Sequence, residues 1–558
     1  MSDPAARATH VRFLVIVVAM FASLLLYLER VCLSVADVYV REDLKITKAD
    51  MDLAFGAFFV AYALGQVPSG WLSQRYGPRL MMTLYMIGWS VFGCFIALSQ
   101  DFVTLFLARF LLGLSQAGAY PTAVLLVKRW VPDRSRGLAS SVVAFGGRFG
   151  GAGATWLTGL LIVAFVPGDK PATVTEADIL NLQVFNDFPP LDIIPVNRIE
   201  DIRSLSDLRV YLASTIDLPA HQTNPRELVD NLNKLIGHPK LTEQFDPRLL
   251  SLASDGQAII SKPLSERTPA ESERLNRLIL EKAFPGGIRQ LHGEGWRPTL
   301  MLYGVLGIGV GGLFWVLTRD RPRLHPWANA AEVELIESGQ AKTPEAAATG
   351  IPWKALAGSR NQWFFSANQF FSNVGWVFLI TLLPRFLDER FGVPVDQRGK
   401  MNTVVLFIAA FGTIGGGWLT DWLTRRQGKR IGRSIPAGAL KIPCALALLA
   451  VPWLPDVWTV VFALAFMAVC QDAGIPSAWA FAQDTGGDQA ATVIGWANMW
   501  GNFGAAFATP VLGLLGAKLG WDFVMFAGAF AFVMSGTFGM LMNATVPLLS
   551  RSESESAG

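Results

Sequence analysis

The stretch Gly70-Trp71-Leu72-Ser73-Gln74-Arg75-Tyr76-Gly77-Pro78-Arg79 decides the fold, because a similar stretch returns in the second part of the chain. The later copy reads Gly417-Trp418-Leu419-Thr420-Asp421-Trp422-Leu423-Thr424-Arg425-Arg426. Each copy closes an apolar run of membrane-spanning length and opens a basic turn. The second copy follows the first by six such runs, so the sequence predicts two homologous six-helix halves related by an axis along the membrane normal.

The composition is typical of a membrane protein. Of 558 residues, 52% are hydrophobic and only 16% are charged, and the mean hydropathy is +0.37. Soluble proteins carry about 25% charged residues. A net charge of +3 does not indicate a nucleic-acid partner. The first apolar run is too long, and holds too much charge, for a cleavable signal peptide.

The sequence contains no signature of a catalytic or metal centre. The four cysteines lie in apolar runs without zinc-ligand spacing, and the five histidines lie outside those runs. No phosphate-binding loop, nucleophile elbow, metalloprotease motif or kinase motif is present. The sequence therefore predicts a protein that is not an enzyme and that needs no cofactor and no metal.

Apolar runs long enough to span a membrane occur twelve times. A spanning helix needs about 20 apolar residues. The predicted fold is therefore an all-α membrane protein with twelve transmembrane helices in two six-helix halves. Spans 1 to 6 are predicted at 11–37, 51–72, 80–99, 102–127, 138–166 and 298–318, and spans 7 to 12 at 362–387, 399–423, 434–454, 457–480, 490–517 and 521–545.

The spans divide the chain into six regions. Residues 1–168 hold spans 1 to 5, 169–295 form an insert, 296–318 hold span 6, 319–360 link the halves, 361–548 form the C-terminal half and 549–558 form a tail. In the insert, amphipathic patterns predict helices at 225–235 and 268–283, and 191–196 fits a short edge strand. A small α+β domain is expected. Three interpretations of this domain stay open: a cap over the outer mouth of the bundle, a docking module for an envelope partner, or an addition without a role in the function of the bundle.

Basic residues mark one side of the membrane. The connections after spans 2, 4, 6 and 8 are rich in arginine and lysine, and those after spans 3, 9 and 11 are nearly free of them. The connections after spans 1, 7 and 10 are mixed or acidic. Since basic loops stay in the cytoplasm, both termini are predicted to be cytoplasmic and the insert extracytoplasmic.

The first span carries two ionisable residues at membrane depth, in Tyr27-Leu28-Glu29-Arg30. Such groups mark substrate or ion pathways unless they form a neutral structural pair, which is the alternative here. Residues at i, i+3 and i+4 share a helix face, so Tyr27, Arg30 and Ser34 are predicted to line one side of span 1. Glu29 is turned about 100° away from them.

Cations outnumber acids inside the N-terminal half. Arg109 in span 4 and Arg148 in span 5 join Arg30, and the same half offers only Glu29 against them. An excess of guanidinium groups suits an anionic substrate, because a carboxylate can accept two parallel hydrogen bonds from one arginine. Arg30 is the predicted anion-binding residue.

Span 10 is predicted to break near Gly474 and Pro476, since proline disrupts a helix interior. Irregular backbone at membrane depth is tolerated where it lines a cavity. Asp472 and Trp479 are therefore candidate cavity residues.

Five groups of residues carry a family resemblance. They are Tyr27-Leu28-Glu29-Arg30-Val31-Cys32-Leu33-Ser34-Val35-Ala36, Ala61-Tyr62-Ala63-Leu64-Gly65-Gln66-Val67-Pro68-Ser69-Gly70-Trp71-Leu72, Arg319-Asp320-Arg321-Pro322, Gln471-Asp472 with Pro476-Ser477-Ala478-Trp479-Ala480, and Gly495-Trp496-Ala497-Asn498. In order and spacing they resemble the major facilitator superfamily, and within it the anion:cation symporter branch of sugar-acid, organic-anion and sialin-like transporters. The resemblance covers all twelve spans and leaves out the insert.

The resemblance implies a transporter of a small anion in a bacterial inner membrane, with a proton as coupling ion. It implies substrate contacts from Tyr27, Tyr62, Trp479 and Asn498. For Trp479 and Asn498, packing or hydrogen bonding between helices is the alternative.

Two positions depart from the family's pattern. Gln116 stands in span 4 where the family commonly has a protonatable glutamate. Glu29 and Asp472 therefore remain as the carboxylates able to exchange a proton within the membrane. Arg148 stands where a small polar residue is expected, and it is assigned to substrate binding.

The repeated basic turns are expected to latch one conformation. Glycine permits close approach and sharp turning, and arginine pairs with acids or helix C-termini. The acid typical of this turn in the family is Gln74 in the first half but Asp421 in the second, so the N-terminal latch is expected to be the weaker. The residues assigned to gating or structural roles are Gly70, Arg75, Gly77, Arg79, Arg109, Gln116, Asp421 and Arg425.

The leading hypothesis is a proton-coupled secondary transporter for a sugar acid or similar carboxylate, in which the halves rock around Arg30. An uncoupled facilitator or exchanger is the alternative if neither Glu29 nor Asp472 titrates. Efflux of larger amphipathic compounds is another alternative within the same fold. A transporter-like sensor acting through the insert is an alternative of a different class.

Overall fold

The structure is a computed structural model that describes residues 7–186, 212, 224–239, 241, 252–338, 350–393 and 395–548. Helices dominate these residues. No β-strand occurs among them, and one isolated antiparallel bridge joins Ile179 to Ile288. The predicted all-helical architecture of the bundle is therefore confirmed for the part of the chain described.

The helices follow the predicted order. The first part of the chain forms α1 (Val11–Leu44), α2 (Lys48–Tyr76), α3 (Pro78–Leu98), α4 (Phe102–Gln116), α5 (Ala119–Trp130) and α6 (Arg136–Ala164). The insert contains α7 (Gln183–Asn186), α8 (Pro225–Ile236), α9 (Ser254–Ile260) and α10 (Pro269–Ala283), and α11 (Trp296–Leu317) completes the N-terminal half. The linker forms α12 (Ala330–Glu337) and α13 (Trp353–Gly358). The C-terminal half contains α14 (Arg360–Val377), a π-helical turn (Phe378–Leu382), α15 (Leu383–Phe391), α16 (Val395–Ala439), α17 (Lys441–Ala450), α18 (Val457–Ala473), α19 (Ile475–Gly486), α20 (Ala490–Leu519) and α21 (Trp521–Leu541).

Eight segments of the described chain are long and apolar enough to cross a membrane. Two of them, Gln397–Trp453 and Val457–Leu519, have 57 and 63 residues. One span needs only about 20 residues. Within the first of these segments, Gly428 adopts a φ of 83° and interrupts α16. The eight apolar segments are thus fewer than the twelve predicted spans, in part because two of the segments are long enough for more than one span.

Two helix breaks lie at corresponding places in the two halves. The helix α18 ends at Ala473 and α19 begins at Ile475 with Pro476 in its first turn, so the predicted break in span 10 is confirmed. A second break separates α4 from α5, with Gly118 directly before α5. That break was not predicted, because residues 102–127 read as one apolar run.

The halves meet most closely at the end of the bundle where α1 begins and α21 ends. We call this end of the bundle the terminal end. The helix α2 packs against α20, and α6 packs against α16. A Cβ atom on Gly70 would lie 2.5 Å from the carbonyl oxygen of Ala491, and one on Gly137 would lie 2.3 Å from Thr420. Glycine is therefore required at both crossings.

The linker is fastened to the N-terminus of α1. Glu332 in α12 is fully buried and accepts the backbone N–H groups of Val11 at 3.2 Å and Arg12 at 3.1 Å. Its carboxylate also forms an ion pair with the Arg12 guanidinium at 2.9 Å. A carboxylate is favoured at a helix N-terminus, where the helix dipole is positive.

The insert contains the two helices that its amphipathic patterns predicted, α8 and α10. They share an apolar core with α9, and the residue Thr268 caps α10 by accepting the N–H of Glu271. The predicted strand at 191–196 lies outside the described residues. The predicted α+β character is therefore not shown, since the described part of the insert has helices and the single bridge.

The insert is attached to the N-terminal half. The backbone N–H of Gln290 donates to Glu42 in α1 at 3.0 Å, and Arg274 in α10 donates to the carbonyl oxygen of Pro167, just after α6, at 3.2 Å. These two contacts anchor the insert on α1 and α6. Beside them, within the N-terminal half, Arg297 at the start of α11 forms an ion pair with Asp43 of α1 at 2.9 Å.

A charged cluster stabilises the insert core. Asp255 lies 2.8 Å from Arg274 Nε and 2.9 Å from His292 Nε2. Burial would raise the pKa of Asp255, but its contacts with His292 and Arg274 outweigh burial and hold the pKa well below its ordinary value of 3.8. A lowered folded-state pKa means that this stabilisation is present above the unfolded value and is lost as the pH falls through the folded one.

Asp255→Asn is therefore expected to loosen the insert at neutral pH and to remove part of its acid sensitivity. Hydrogen exchange of α9 and α10, corrected for intrinsic rates, should rise in this variant at pH 7, and in the wild type from about pH 4 downward. Asp230→Asn is the control, because Asp230 is an exposed acid on α8. Equal exchange and equal acid response in the wild type and Asp255→Asn would contradict the assignment.

Candidate anion-binding site between the two halves

Arg30 lies in an aromatic enclosure. Its guanidinium carbon is 4.4 Å from the ring centre of Tyr62, 4.9 Å from that of Tyr27 and 5.1 Å from that of Phe58. Its Nε donates to Gln116 Oε1 at 3.2 Å, and Gln116 in turn donates to the Leu26 carbonyl oxygen at 3.2 Å. Gln116 thus fixes one edge of the guanidinium, and cation–π contacts hold its faces.

Arg30 and Glu29 do not form an ion pair. Glu29 is buried and faces α3 and α11, where Ser90 donates to it at 3.4 Å. The nitrogen Nη2 of Arg30 is buried without a hydrogen-bond partner in the described part of the chain. The alternative of an internally neutralised pair is therefore not what the geometry shows. Arg30 keeps its Nη2 donor free for an anion.

Arg109 is another guanidinium in the interior of the N-terminal half, and it is fully buried. It is 1% exposed and lies over the rings of Phe58 at 4.7 Å and Phe55 at 5.2 Å. Its Nε and Nη1 atoms find no hydrogen-bond partner among the described residues. Phe58 therefore packs against both Arg30 and Arg109, which places two positive charges around one ring.

Arg148 and Asp472 are brought together across the interface between the halves. Arg148 Nη2 lies 2.7 Å from Asp472 Oδ1, and the ring of Trp376 lies 4.6 Å from the guanidinium carbon. Asp472 is fully buried, whereas the Arg148 side chain is 19% exposed. The sequence predicted separate roles for these two residues and did not predict their pairing.

Aromatic rings connect the halves beside this pair. The rings of Tyr27 and Tyr120 are 6.4 Å apart, and those of Tyr120 and Trp479 are 5.0 Å apart. Asn498 accepts from Gln369 at 3.3 Å and lies 3.5 Å from Gln66 Oε1 across the interface. Trp479 thus faces the predicted site, while Asn498 makes the hydrogen bonds between helices that were its alternative role.

A buried lysine was missed by the sequence reading. Lys441, the first residue of α17, is 4% exposed, and its Nζ donates to Gln471 Oε1 and, at 3.2 Å, to Ser372. Gln471 also donates to Ser372 at 2.7 Å. A lone lysine inside the apolar run 434–454 was the signal that could have found this cluster.

A second charged network closes the terminal end. Asp421 accepts the N–H groups of Gly137 at 2.9 Å and Leu138 at 2.8 Å, in the first turn of α6. Arg433, fully buried, bridges Asp421 at 3.2 Å and Asp484 at 3.0 Å. Arg433 was overlooked because the basic loop around it was used only for orientation.

Two further ion pairs in this network cross between the halves. Lys429 lies 2.8 Å from Asp133, and Arg136 lies 3.3 Å from Asp484. Within the C-terminal half, Lys429 also lies 3.1 Å from Asp484. The corresponding contact of the first repeat is neutral and therefore weaker: Gln74 accepts one hydrogen bond from Thr492 at 2.7 Å. Cation-rich contacts therefore hold α16 to α6 more strongly than neutral ones hold α2 to α20.

The predicted arginines of the turns take other positions. Arg75 lies over the rings of Trp71 and Tyr76. Arg79 lies 3.8 Å over the ring of Trp315 and ties α3 to α11 within one half. Arg425 makes a long hydrogen bond of 3.4 Å to the carbonyl oxygen of Arg134.

The predicted turn glycine Gly77 has the expected sharp geometry. It adopts a φ of 92°, and a Cβ atom there would lie 2.5 Å from the Asp320 carboxylate. That carboxylate also accepts the N–H of Arg79 at 2.9 Å. The turn therefore needs a glycine both for its backbone and for the approach of Asp320.

Long apolar helices with a charged site between the two halves are typical of an integral multi-pass membrane protein. The family model of the Major Facilitator Superfamily matches residues 19–167 and 286–509. The chain belongs to this superfamily, which confirms the predicted family. The insert lies between the two matched regions.

Curated relatives are sugar-acid transporters by name. A probable galactarate/D-glucarate transporter of Escherichia coli K12, GarP, is 30% identical over 146 residues, which cover 25% of this chain and 33% of the relative. A D-galactonate transporter of Escherichia coli O6:H1 is 34% identical over 160 residues, covering 28% of this chain and 36% of the relative. The chain thus spans about a third of the length of these relatives. A probable galactarate/D-glucarate transporter of E. coli K12, GudP, is 22% identical over 526 residues, covering 90% of this chain and 87% of the relative.

Solved structures share the fold. The chain superposes on a crystal structure of the E. coli fucose:proton symporter FucP with a TM-score of 0.57 at 13% identity, covering 95% of this chain and 98% of that one. A bacterial homologue of the human lysosomal transporter Spinster, in an inward-facing conformation, gives a TM-score of 0.50 at 17% identity, with 98% of each chain covered.

Proposed function

We propose that this protein is a secondary transporter of a small organic anion, a sugar acid or a similar carboxylate, that works by alternating access between its two halves. The observation that carries the proposal is Arg30, a half-buried arginine whose Nη2 atom has no hydrogen-bond partner and which has no carboxylate partner in the described residues. A substrate carboxylate would supply the missing partner through two parallel hydrogen bonds. The names of the curated relatives support the same class of substrate.

We also propose that the chain crosses the membrane twelve times. Gln397–Trp453 and Val457–Leu519 each have the length of two spans, so the eight apolar segments provide ten. The helix α6 and the helices between Arg360 and Phe391 supply the other two. The positive-inside pattern supports cytoplasmic termini in a cell inner membrane.

With that orientation, the terminal-end network closes the site towards the cytoplasm. Asp421 and its neighbours join α16 to α6 there, and the Arg148–Asp472 pair joins the halves at membrane depth. Both sets of contacts have to separate when the halves rock to open the cytoplasmic side. Glycine contacts such as that of Gly70 with Ala491 would then part without breaking interlocked side chains.

Transport into liposomes tests the proposal. Purified protein should take up labelled D-galactonate or galactarate, the compounds in the names of the relatives described above. Protein-free liposomes and liposomes with the Arg30→Gln variant are the controls. Uptake that is equal in wild type and Arg30→Gln would refute Arg30 as the binding residue, and a lack of uptake of all carboxylates would refute the substrate class.

Proton coupling, as the second part of the proposal, rests on Glu29 and Asp472, because Gln116 cannot titrate. A gradient of one pH unit is worth about 1.4 kcal/mol per proton, enough for about tenfold accumulation. We expect Glu29→Gln to lose this accumulation while exchange of labelled for unlabelled substrate continues. The measurement is uptake with and without an inward proton gradient, with Asp472→Asn beside it and Asp230→Asn as the control.

An uncoupled facilitator or exchanger is the alternative, and the same experiment distinguishes it. Wild-type uptake that ignores the gradient would remove the symport proposal and leave facilitation. A full gradient response in both Glu29→Gln and Asp472→Asn would show that neither carboxylate carries the proton.

The role of the insert needs its own experiment. Its contacts with the ends of α1 and α6 support a cap, whereas a docking or sensing role needs a partner. Deletion of 169–295 with a short linker should be compared with the full chain in liposomes. Unchanged uptake would argue against an essential cap and favour docking or no role.

A further inference from the structure

The Arg148–Asp472 pair is incompletely satisfied. Asp472 binds Arg148 through Oδ1 only, while its Oδ2 atom is buried and has no hydrogen-bond partner in the described residues. A carboxylate oxygen without a hydrogen bond is costly at membrane depth, so Arg148 alone compensates Asp472 incompletely. Arg148 is also the more exposed of the two, so its guanidinium remains reachable by a ligand.

A second cation lies next to Asp472 on its own half. Lys441 is hydrogen-bonded to both the side chain and the carbonyl oxygen of Gln471, the residue that precedes Asp472. Its ammonium group forms no ion pair in the described chain, although it is buried. Asp472 is therefore flanked by a cation of each half, Arg148 across the interface and Lys441 within the C-terminal half.

The positive charges exceed the negative ones around the site. Arg30, Arg109, Arg148 and Lys441 lie deep in the spans, against Glu29 and Asp472. With both carboxylates ionised, two positive charges remain without a partner. A substrate with one carboxylate leaves one of these charges unbalanced, whereas a substrate with two carboxylates balances both.

The ring of Tyr27 lies beside both predicted anion-binding residues, Arg30 and Arg148. Tyr27 covers the guanidinium of Arg30 at 4.9 Å. It also packs on the helix face that carries Arg148, since Cβ atoms on Gly147 and Gly151 would lie 3.0 Å and 3.2 Å from its ring carbons. A short chain lying along Tyr27 can therefore present one end to Arg30 and the other to Arg148.

We propose that Arg148 is the second anion-binding residue of the site, that Asp472 occupies it in the empty protein, and that the substrate is a dicarboxylate. One carboxylate binds Arg30. The other displaces Asp472 from Arg148, and Asp472 turns to Lys441. Binding of a dicarboxylate thus replaces the ion pair between the halves by a substrate bridge. This inference rests on the proposed function and makes its substrate class narrower.

Binding of two matched probes tests the inference. Galactarate and D-galactonate share a six-carbon polyol chain and differ in whether the sixth carbon is a carboxylate or a hydroxymethyl group. Their affinities for the purified full-length protein can be measured by calorimetry. A charge-assisted contact changes affinity by about tenfold or more, so we expect the wild type to bind galactarate about tenfold more tightly than D-galactonate.

Variants locate this difference. Arg148→Gln should weaken galactarate binding by about tenfold or more and should abolish the preference for galactarate over D-galactonate. Asp472→Asn removes the internal competitor, so galactarate should bind more tightly than to the wild type. Arg226→Gln is the control, because Arg226 is 81% exposed in the insert. Binding of D-galactonate shows that each variant is folded.

The outcomes separate the two proposals. Equal affinity of the wild type for both probes, an unchanged galactarate preference in Arg148→Gln, or weaker galactarate binding in Asp472→Asn would overturn the inference and leave monocarboxylate transport intact. Failure of both probes to bind the wild type would overturn the sugar-acid proposal together with the inference.

Discussion

Replacing Arg30 by glutamine is expected to reduce carboxylate uptake by about 100-fold, because the substrate loses two charge-assisted hydrogen bonds worth about 3 kcal/mol together. The neutral side chain also gives up the contacts with the rings of Tyr27 and Tyr62. Arg30→Lys keeps the charge but lacks the planar fork, so it should recover only part of the uptake. Initial uptake rates in liposomes measure both effects.

Two comparisons make this result specific to the site. The first is Arg226→Gln, which removes an exposed arginine of the insert and should transport like the wild type. The second is Gln116→Ala, which removes the hydrogen bond that orients Arg30 and should raise the half-saturating concentration without abolishing uptake. Wild-type uptake by Arg30→Gln, with the protein correctly inserted, would remove the central residue of the proposed site.

Replacing Asp421 by asparagine is expected to open the terminal end. In the wild type, the Asp421 carboxylate accepts two backbone N–H groups at the start of α6 and pairs with the fully buried Arg433. Arg433 keeps Asp484 as an ion-pair partner, so the main loss is at the amides of α6, where a hydrogen bond to a charged group is worth about 1.5–3 kcal/mol. The closed state alone contains the contacts with α6, so the population should shift towards the state that is open at this end.

Hydrogen exchange can follow this shift at the bonded amides themselves. The amides of Gly137 and Leu138 should exchange at least about tenfold faster in Asp421→Asn than in the wild type, since a lost charged hydrogen bond is worth about 1.5–3 kcal/mol. The matched control is Gln74→Asn in the other repeat, where only one neutral bond to Thr492 is lost. Equal effects of the two substitutions would contradict the predicted asymmetry between the latches.

The fold could be predicted well from the sequence because lipid imposes a simple rule. Backbone groups in the membrane must bond within a helix, so each span appears as one long apolar run. The same rule hides interruptions that carry no strong local signal. The Gly474–Pro476 break was predicted, but the break after Gln116 was not, since apolar residues continue on both sides of Gly118.

The site could be predicted only where its residues are close in sequence. The shared helix face of Tyr27 and Arg30 follows from helical periodicity, and the structure shows their contact. The pairing of Arg148 with Asp472 joins residues 324 positions apart. Periodicity within a helix carries no information about such a distance. Lys441 and Arg433 were not predicted for another reason. Lys441 lies inside an apolar run, and Arg433 lies in a basic segment whose charge was used only to predict the orientation of the chain.

The anchorage of the insert has a practical consequence. Because it is fixed to α1 and α6 of the N-terminal half, a binder raised against α8 or α10 would hold one half of the bundle and leave the other free to turn. Such a binder would serve as a fixed landmark for imaging each conformation of a chain of 60.8 kDa. The angle between this landmark and the C-terminal half would then measure the rocking motion directly.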